Sequence, residues 1–263
     1  NEILRILPQT VRAVLLHTPE SRIEELRLRV GQKPSVLYAG CEQILNAGGV
    51  LTQNELQQVL LNASAQSQYA VQEQLRNGYL SLPGGYRIGV CGSTVVQNGC
   101  ITGIREISSI ALRVPHDIRQ PPERLLPYLQ ESCLLAGAPG SGKTTLLRSC
   151  IRTLSDVGQR VAVVDERQEL SGAVHGVPQF DLGPRTDVLS GCPKGDGMLM
   201  LLRSMNPQWI AVDEITQPED IMALRQAGSC GVKLIATIHA GSAEELKNKP
   251  LCRKLFSLGI FRQ

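Results

Sequence analysis

The sequence predicts two domains: a smaller α+β module over residues 1–118, then an α/β domain over residues 119–263 built on a mainly parallel sheet. Between Tyr79 and Val114 the chain is β-rich, with alternating strand patterns and a turn signal at Asn98-Gly99. The segment PHDIRQPPERLLP then places four prolines between Pro115 and Pro127, which is the composition of a boundary. After it, four short apolar runs recur with helical patterns between them: CLLA at 133–136, VAVVD at 161–165, WIAVD at 209–213 and LIATIH at 234–239. Strands alternating with helices form a doubly wound sheet, whose ligands sit at the carboxyl ends of the strands.

Taken in order, the N-terminal NEILRILPQTVRAVLLHTPE has apolar residues at Ile3, Leu4, Leu7, Val11, Val14 and Leu15, which predicts one amphipathic helix. EELRLRV alternates Leu26, Leu28 and Val30 with Arg27 and Arg29, a half-exposed strand, and SVLYAG is a second strand to pair with it. Thr52-Gln53-Asn54-Glu55 has the spacing of a capping box and opens a helix through Leu56, Val59, Leu60 and Ala63. In the second domain, GPRTDVLSGCPKGDG at 183–197 reads as a long polar loop.

With 42% hydrophobic and 19% charged residues, the chain falls among ordinary globular proteins, and at 263 residues two domains are the natural division. No run of about 18 apolar residues exists to span a membrane, and the N-terminus lacks a signal-peptide cleavage site, so a cytoplasmic protein is expected. The eight cysteines form no CxxC and no His lies at zinc-finger spacing. Cys133 and Cys150 fall in a predicted core strand and helix, so buried thiols are expected. A net charge of +3 and 3% aromatic residues argue against nucleic acid as a partner.

Residues 137–144 read GAPGSGKT, in which Gly137, Gly142, Lys143 and Thr144 fill every fixed position of a P-loop, directly after a strand and before a helix. The backbone amides of Gly137, Ala138, Pro139, Gly140, Ser141, Gly142, Lys143, Thr144 and Thr145, proline excepted, are the candidates to cradle phosphates. The helix start adds its positive end. Lys143 supplies a point charge to the outer phosphates, and the Thr144 hydroxyl completes a Mg2+ shell that otherwise keeps several waters. Asp213, ending WIAVD, is the second candidate metal ligand, and Glu214 is placed to polarise an attacking water. The bland alternative for Asp213 is a carboxylate capping the next helix.

A second acidic cluster, VVDERQE, puts Asp165, Glu166 and Glu169 on the same rim, where three carboxylates repel one another without a cation. Glu166 is therefore a further catalytic candidate, against a solvated loop paired with Arg167. The last strand ends in His239, a candidate sensor of the outer phosphate. Guanine-reading GTPases carry Asn-Lys-x-Asp; here Asn248-Lys249-Pro250 is followed by Leu251, so ATP is the expected nucleotide.

After the P-loop, the order VVDERQE, LLRSMNPQWIAVDEI, ATIHAGS resembles the acidic box, Walker-B-like strand and histidine box of the secretion and type IV pilus motor ATPases, over nearly the whole chain. GYRIGVCGSTVV, ISSIALRV and RTDVLSGCPKGDGM are similar to a sporulation branch of that family. The resemblance implies a RecA-like core behind the smaller domain, homohexameric rings, and a cytoplasmic motor energising a membrane-embedded channel between mother cell and forespore. It further implies that arginines of the N-terminal domain reach the outer phosphates when the domains close. Arg113 in IALRVP and Arg105 in GIREIS stand in matching segments, with Arg87 in GGYRIG a third. For each, an exposed strand arginine is the plain alternative. Two departures stand beside the resemblance. Pilus motors usually carry Gly where this chain has Asp213, which leaves Glu166 and Glu214 both open as the dominant carboxylate. The sequence also ends at Gln263, where such motors carry more helices; a trimmed chain or a short relative would each account for that.

Three rivals are weighed against the motor. An ABC-type ATPase is suggested by LSGC at 189–192, but the 70 residues from Lys143 to Asp213 leave no room for its helical subdomain. An ATP-gated scaffold without hydrolysis is opposed by the intact Glu214. A RecA-type nucleic-acid motor is weakened by the small net charge.

Overall fold

The computed structural model describes residues 2–15, 23–38, 40–46, 49–66, 71–76, 78–119 and 122–261. The chain divides into two compact units, Asn1–His116 and Asp117–Gln263.

In the first unit the expected N-terminal helix is two helices, α1 (Glu2–Ile6) and α2 (Gln9–Leu15). Pro8 stands between them, with no amide to donate and a ring that clashes with the preceding turn. The expected continuation through residues 16–20 lies outside the described residues, as do Ala39 of SVLYAG and Pro121 of the proline-rich segment. Strands β1 (Glu25–Arg29) and β2 (Ser35–Tyr38) pair antiparallel, as their alternation predicts. An edge strand, β3 (Cys41–Ile44), follows; all four of its residues are exposed, so no apolar pattern announced it. Helix α3 (Gln53–Gln66) opens on the reciprocal box: the Thr52 amide donates to Glu55 Oε2 at 2.8 Å and the Glu55 amide donates to Thr52 Oγ1 at 3.3 Å. After α4 (Val71–Arg76) and β4 (Tyr79–Ser81), β5 (Arg87–Gln97) and β6 (Cys100–Arg113) form a hairpin through the Asn98-Gly99 turn. The antiparallel sheet runs β3-β2-β1-β6-β5-β4. Leu26, Leu28, Ile88, Val90, Ile110 and Leu112 form one core with Ile6, Val11, Leu56, Val59 and Ala63 of the helices and Leu7 between α1 and α2, so the unit is α+β as expected.

The second unit holds a five-stranded parallel sheet in the order β7-β11-β10-β8-β9. The four apolar runs become β7 (Cys133–Gly137), β8 (Val161–Asp165), β10 (Trp209–Val212) and β11 (Lys233–His239). Their residues alternate between two cores. Val161, Val163, Trp209, Ala211 and Ile235 pack with Leu147, Cys150, Ile151 and Leu154 of α5 (Lys143–Asp156). Ala162, Val164, Ile210, Val212, Leu234 and Ala236 pack on the other face with Met198 and Leu201 of α6 (Lys194–Ser204) and Leu224 and Ala227 of α7 (Pro218–Ser229). Covering both faces is what makes the strands read as continuous apolar runs. Two short helices, α8 (Ala243–Asn248) and α9 (Pro250–Ser257), complete the unit, and Leu255 joins the α6–α7 core.

Two expectations are corrected. The stretch 183–197 is not a loop: Thr186–Ser190 forms β9, parallel to β8, and Lys194 opens α6. As an edge strand β9 buries little, so its polar composition disguises it. Of the thiols expected to be buried, Cys150 is and Cys133 is only half-buried; Cys252 is also buried, whereas Cys41, Cys91, Cys100 and Cys230 are exposed, and all eight are free thiols. Burial pushes the Cys150 thiol up to about 12, which keeps it inert at neutral pH. No helix among the described residues is long and apolar enough to cross a membrane.

Gly183 governs the entry to β9. It has φ +87°, and a Cβ there would lie 2.5 Å from Ser155 Cβ on α5, whose hydroxyl accepts the Arg185 amide at 2.7 Å. Gly183→Ala is expected to destabilise the chain by about 2–4 kcal/mol, from left-handed strain plus overpacking. Urea unfolding measures it.

Candidate nucleotide and catalytic site

The site lies at the carboxyl ends of the parallel strands. β7 ends at Gly137 and the chain turns through Ala138–Ser141 before α5 starts at Lys143. Gly140 and Gly142 take φ of 74° and 85°, which an L side chain rarely adopts, and this curl turns the loop onto the helix start. A Cβ on Gly137 would come within 2.6 Å of Ser141 Oγ, so any side chain there would have to displace that hydroxyl. Ala138, Pro139, Gly140, Ser141 and Gly142 are exposed, whereas Lys143 is buried and donates to the Ala138 carbonyl at 2.7 Å. Thr144 and Thr145, in the first turn of α5, are half-buried.

The structure brings Thr144 and Asp213 together: Thr144 Oγ1 donates to Asp213 Oδ2 at 2.7 Å. Asp213 follows β10, between the P-loop helix and the neighbouring β11, whose Thr237 hydroxyl donates to Asp213 Oδ1. Thr237 is fully buried, and its oxygen also accepts the Glu214 amide at 2.7 Å. Glu214 has φ 53°, uncommon for a residue with a side chain. Its carboxylate is gripped from two sides, by His239 Nε2 at 3.2 Å on Oε1 and by Arg167 Nη1 at 3.2 Å on Oε2. His239 ends β11 opposite Gly137 in the register of β7, and its Nδ1 is buried without a hydrogen-bond partner among the described residues.

The acidic cluster divides its labour. Asp165 is buried and caps the following loop, accepting the Leu170 amide at 3.1 Å and the Ser171 amide and hydroxyl at 2.7 and 2.6 Å. Burial raises its pKa, opposed by the hydrogen bonds from Ser171 and Leu170. Glu166 pairs with the ammonium of Lys194, whose side chain is 7% exposed against 36% for Glu166. The cation demanded by the cluster is thus Lys194, and Arg167 turns instead to Glu214. Asp165, Glu166, Arg167, Glu169, Lys194, Asp213 and Glu214 line one open cleft of about 270 Å³ between the ends of β8 and β10. Arg105 and Arg113 lie on β6 of the first unit, both exposed; Arg113 Nε stands 3.4 Å from Glu25 Oε2. Arg87 stacks on Tyr79, 4.3 Å from the ring centre.

Sequence reasoning missed Thr237, Lys194 and the partner of Arg167. Thr237 lies two residues before the candidate His239 on a strand adjacent to β10, and that adjacency was its available signal. Lys194 sat inside the segment taken for a loop.

The residues fit MgATP. A threonine hydroxyl and a carboxylate 2.7 Å apart are the hard oxygen donors that magnesium accepts, and the tight glycine-lined loop before a helix start suits phosphate.

The sheet order and strand-end site define a RecA-like α/β unit, with an antiparallel sheet in the N-terminal unit. The chain superposes on the Legionella pneumophila ATPase DotB with a TM-score of 0.60 at 21% identity, covering 96% of this chain and 71% of that one. It superposes on the pilus retraction motor PilT, solved with bound ADP, with a TM-score of 0.62 at 18% identity, covering 98% and 76%. The chain belongs to the family described as sporulation stage III, protein AA, whose model matches residues 1–263. It is 36% identical to stage III sporulation protein AA of Bacillus subtilis (strain 168) over 274 residues, which cover 99% of this chain and 88% of that protein.

Removing the Asp165 cap tests the strand-end architecture. Asp165→Ala leaves two buried amides without an acceptor and is expected to destabilise the chain by about 2–4 kcal/mol. Amide hydrogen exchange should show Leu170 and Ser171 losing protection before the strands do.

Proposed function

We propose that this chain is a Mg2+-dependent ATPase that works as a motor in a sporulation-specific secretion-like assembly. The observation that carries the reading is the Thr144–Asp213 hydrogen bond, which joins the P-loop to the second acidic strand end at the place a phosphate-bound cation needs both. Lys143 and the loop amides bind the outer phosphates. Thr144 and Asp213 would hold magnesium, which neutralises the charge that develops on the transferred phosphoryl group. Glu214 orients and polarises the attacking water, a task of positioning rather than covalent chemistry.

Arg113, and more weakly Arg105, supply a guanidinium to the outer phosphates when the domains close. An always-charged, bidentate group suits that task and makes hydrolysis depend on closure. Division into domains at residue 118, a ring of copies of this chain, a membrane-embedded channel as partner and a cytoplasmic site of action complete the proposal. Likeness of fold to DotB and PilT and membership of a sporulation family support it.

Steady-state phosphate release by the full chain, with and without DNA, tests the reading. Tight ATP binding without release would leave a nucleotide-gated scaffold, and stimulation by DNA would point to a nucleic-acid motor. Lys143→Ala is expected to abolish binding of a fluorescent ATP analogue. Glu214→Gln should retain that binding and lose turnover, whereas Glu166→Gln should retain more; the reverse ranking would exchange the two assignments. Arg113→Ala should fold, bind ATP and lose about tenfold in turnover, as expected for a charged contact made chiefly in the transition state. Turnover at the parental rate in an assembled Arg113→Ala sample would remove this residue from the mechanism.

A further inference from the structure

Glu214 is poorly constrained by its backbone. It lies beyond the end of β10, before α7 begins, at φ 53°, where neither strand nor helix geometry dictates the direction of the side chain. Three contacts replace that constraint: Thr237 Oγ1 accepts its amide, His239 holds Oε1 and Arg167 holds Oε2. Thr237 and His239 both belong to β11, so one strand supplies the amide contact and one side of the carboxylate. Arg167 comes from the opposite wall of the cleft, two residues after the end of β8. Without it the carboxylate is tethered from one side only.

We propose that Arg167 is a positioning residue for Glu214, fixing the carboxylate against His239 so that it faces the water it must orient. The role rests on the hydrolysis reading above. Two nitrogen contacts, His239 on one oxygen and the Arg167 guanidinium on the other, leave the carboxylate one orientation instead of several. Arg167 is 44% exposed and Glu214 28%, so the pair adds little to stability and its removal does not threaten the fold. Its effect lies in geometry, because small misplacements of a reacting group weigh heavily on rate. An arginine fits because its charge is permanent and its fork directional; a lysine supplies the charge without the fork.

The test uses the full chain. Arg167→Ala is expected to lower kcat about tenfold, with KM and the affinity for a fluorescent ATP analogue within about twofold of the parent, and Arg167→Lys, which keeps the charge and loses the fork, should recover only part of the loss. In the Glu214→Gln background, Arg167→Ala should change the residual turnover by less than about twofold, because Arg167 acts through the carboxylate already removed. Parental or raised kcat in Arg167→Ala, or a full tenfold further loss in the double variant, would overturn the role. A parent that releases no phosphate sinks the hydrolysis reading and this role with it. A normal parental rate that Arg167→Ala leaves unchanged sinks the Arg167 role alone.

Discussion

One carboxylate ties the second unit's site together. Asp213 receives hydroxyl protons from Thr144 on the P-loop helix and Thr237 on the neighbouring strand, so it fixes α5, β10 and β11 against one another at their functional ends. Such a carboxylate is confined to one position by two donors, and each donor is confined in return. Thr237 extends the constraint by one residue, because the oxygen that donates its proton to Asp213 also accepts the Glu214 amide. The Asp213 carboxylate and the Glu214 backbone are therefore set by the same threonine. A displacement of β11 moves both.

The cleft beside Asp213 gathers five carboxylates, Asp165, Glu166, Glu169, Asp213 and Glu214, and the way their charge is balanced separates fixed parts from adjustable ones. Asp165 is spent on the loop that follows it, and its hydrogen bonds are buried. Lys194 is almost wholly enclosed, and losing its carboxylate partner would strand a buried charge, at a cost of about 3–5 kcal/mol for pairs of this kind. The Arg167–Glu214 pair is half in water, where such pairs contribute about 0–1 kcal/mol. Energetically the first pair is architecture. The second can be made and unmade within thermal reach.

The sheet was legible because burial on both faces writes each central strand as an apolar run, and the P-loop because its glycines answer to a backbone need visible in sequence. The Thr52–Glu55 box was legible for the same local reason. What escaped was set by tertiary pairing. Strands β3 and β9 are edge strands with little to bury, and Pro8 outweighed an apolar periodicity that ran through it. At the site, the P-loop motif named Thr144 and residue types at strand ends named Asp213, Glu214 and His239 as candidates, and the structure joins them in two contacts, Thr144 to Asp213 and Glu214 to His239. Which cation meets which carboxylate was beyond reach: Arg167 adjoins Glu166 in sequence yet meets Glu214, and Lys194 crosses from α6 to Glu166.

The same pairings bear on the two acidic candidates. A water-orienting carboxylate must offer an oxygen toward the phosphate without abandoning a charge it neutralises. If Glu166 turned away from Lys194, it would leave an ammonium in a nearly closed site, and the desolvation penalty would oppose every cycle. Glu214 faces no such opposition, because its partners are half-exposed and offering an oxygen to water strands no enclosed charge. It also directly follows Asp213, the proposed magnesium ligand, so its backbone is held beside that carboxylate by one peptide bond, whereas Glu166 reaches the cleft from another strand. Charge balance and chain geometry favour the same residue, Glu214, for the water and leave Glu166 to hold Lys194 in the wall of the cleft.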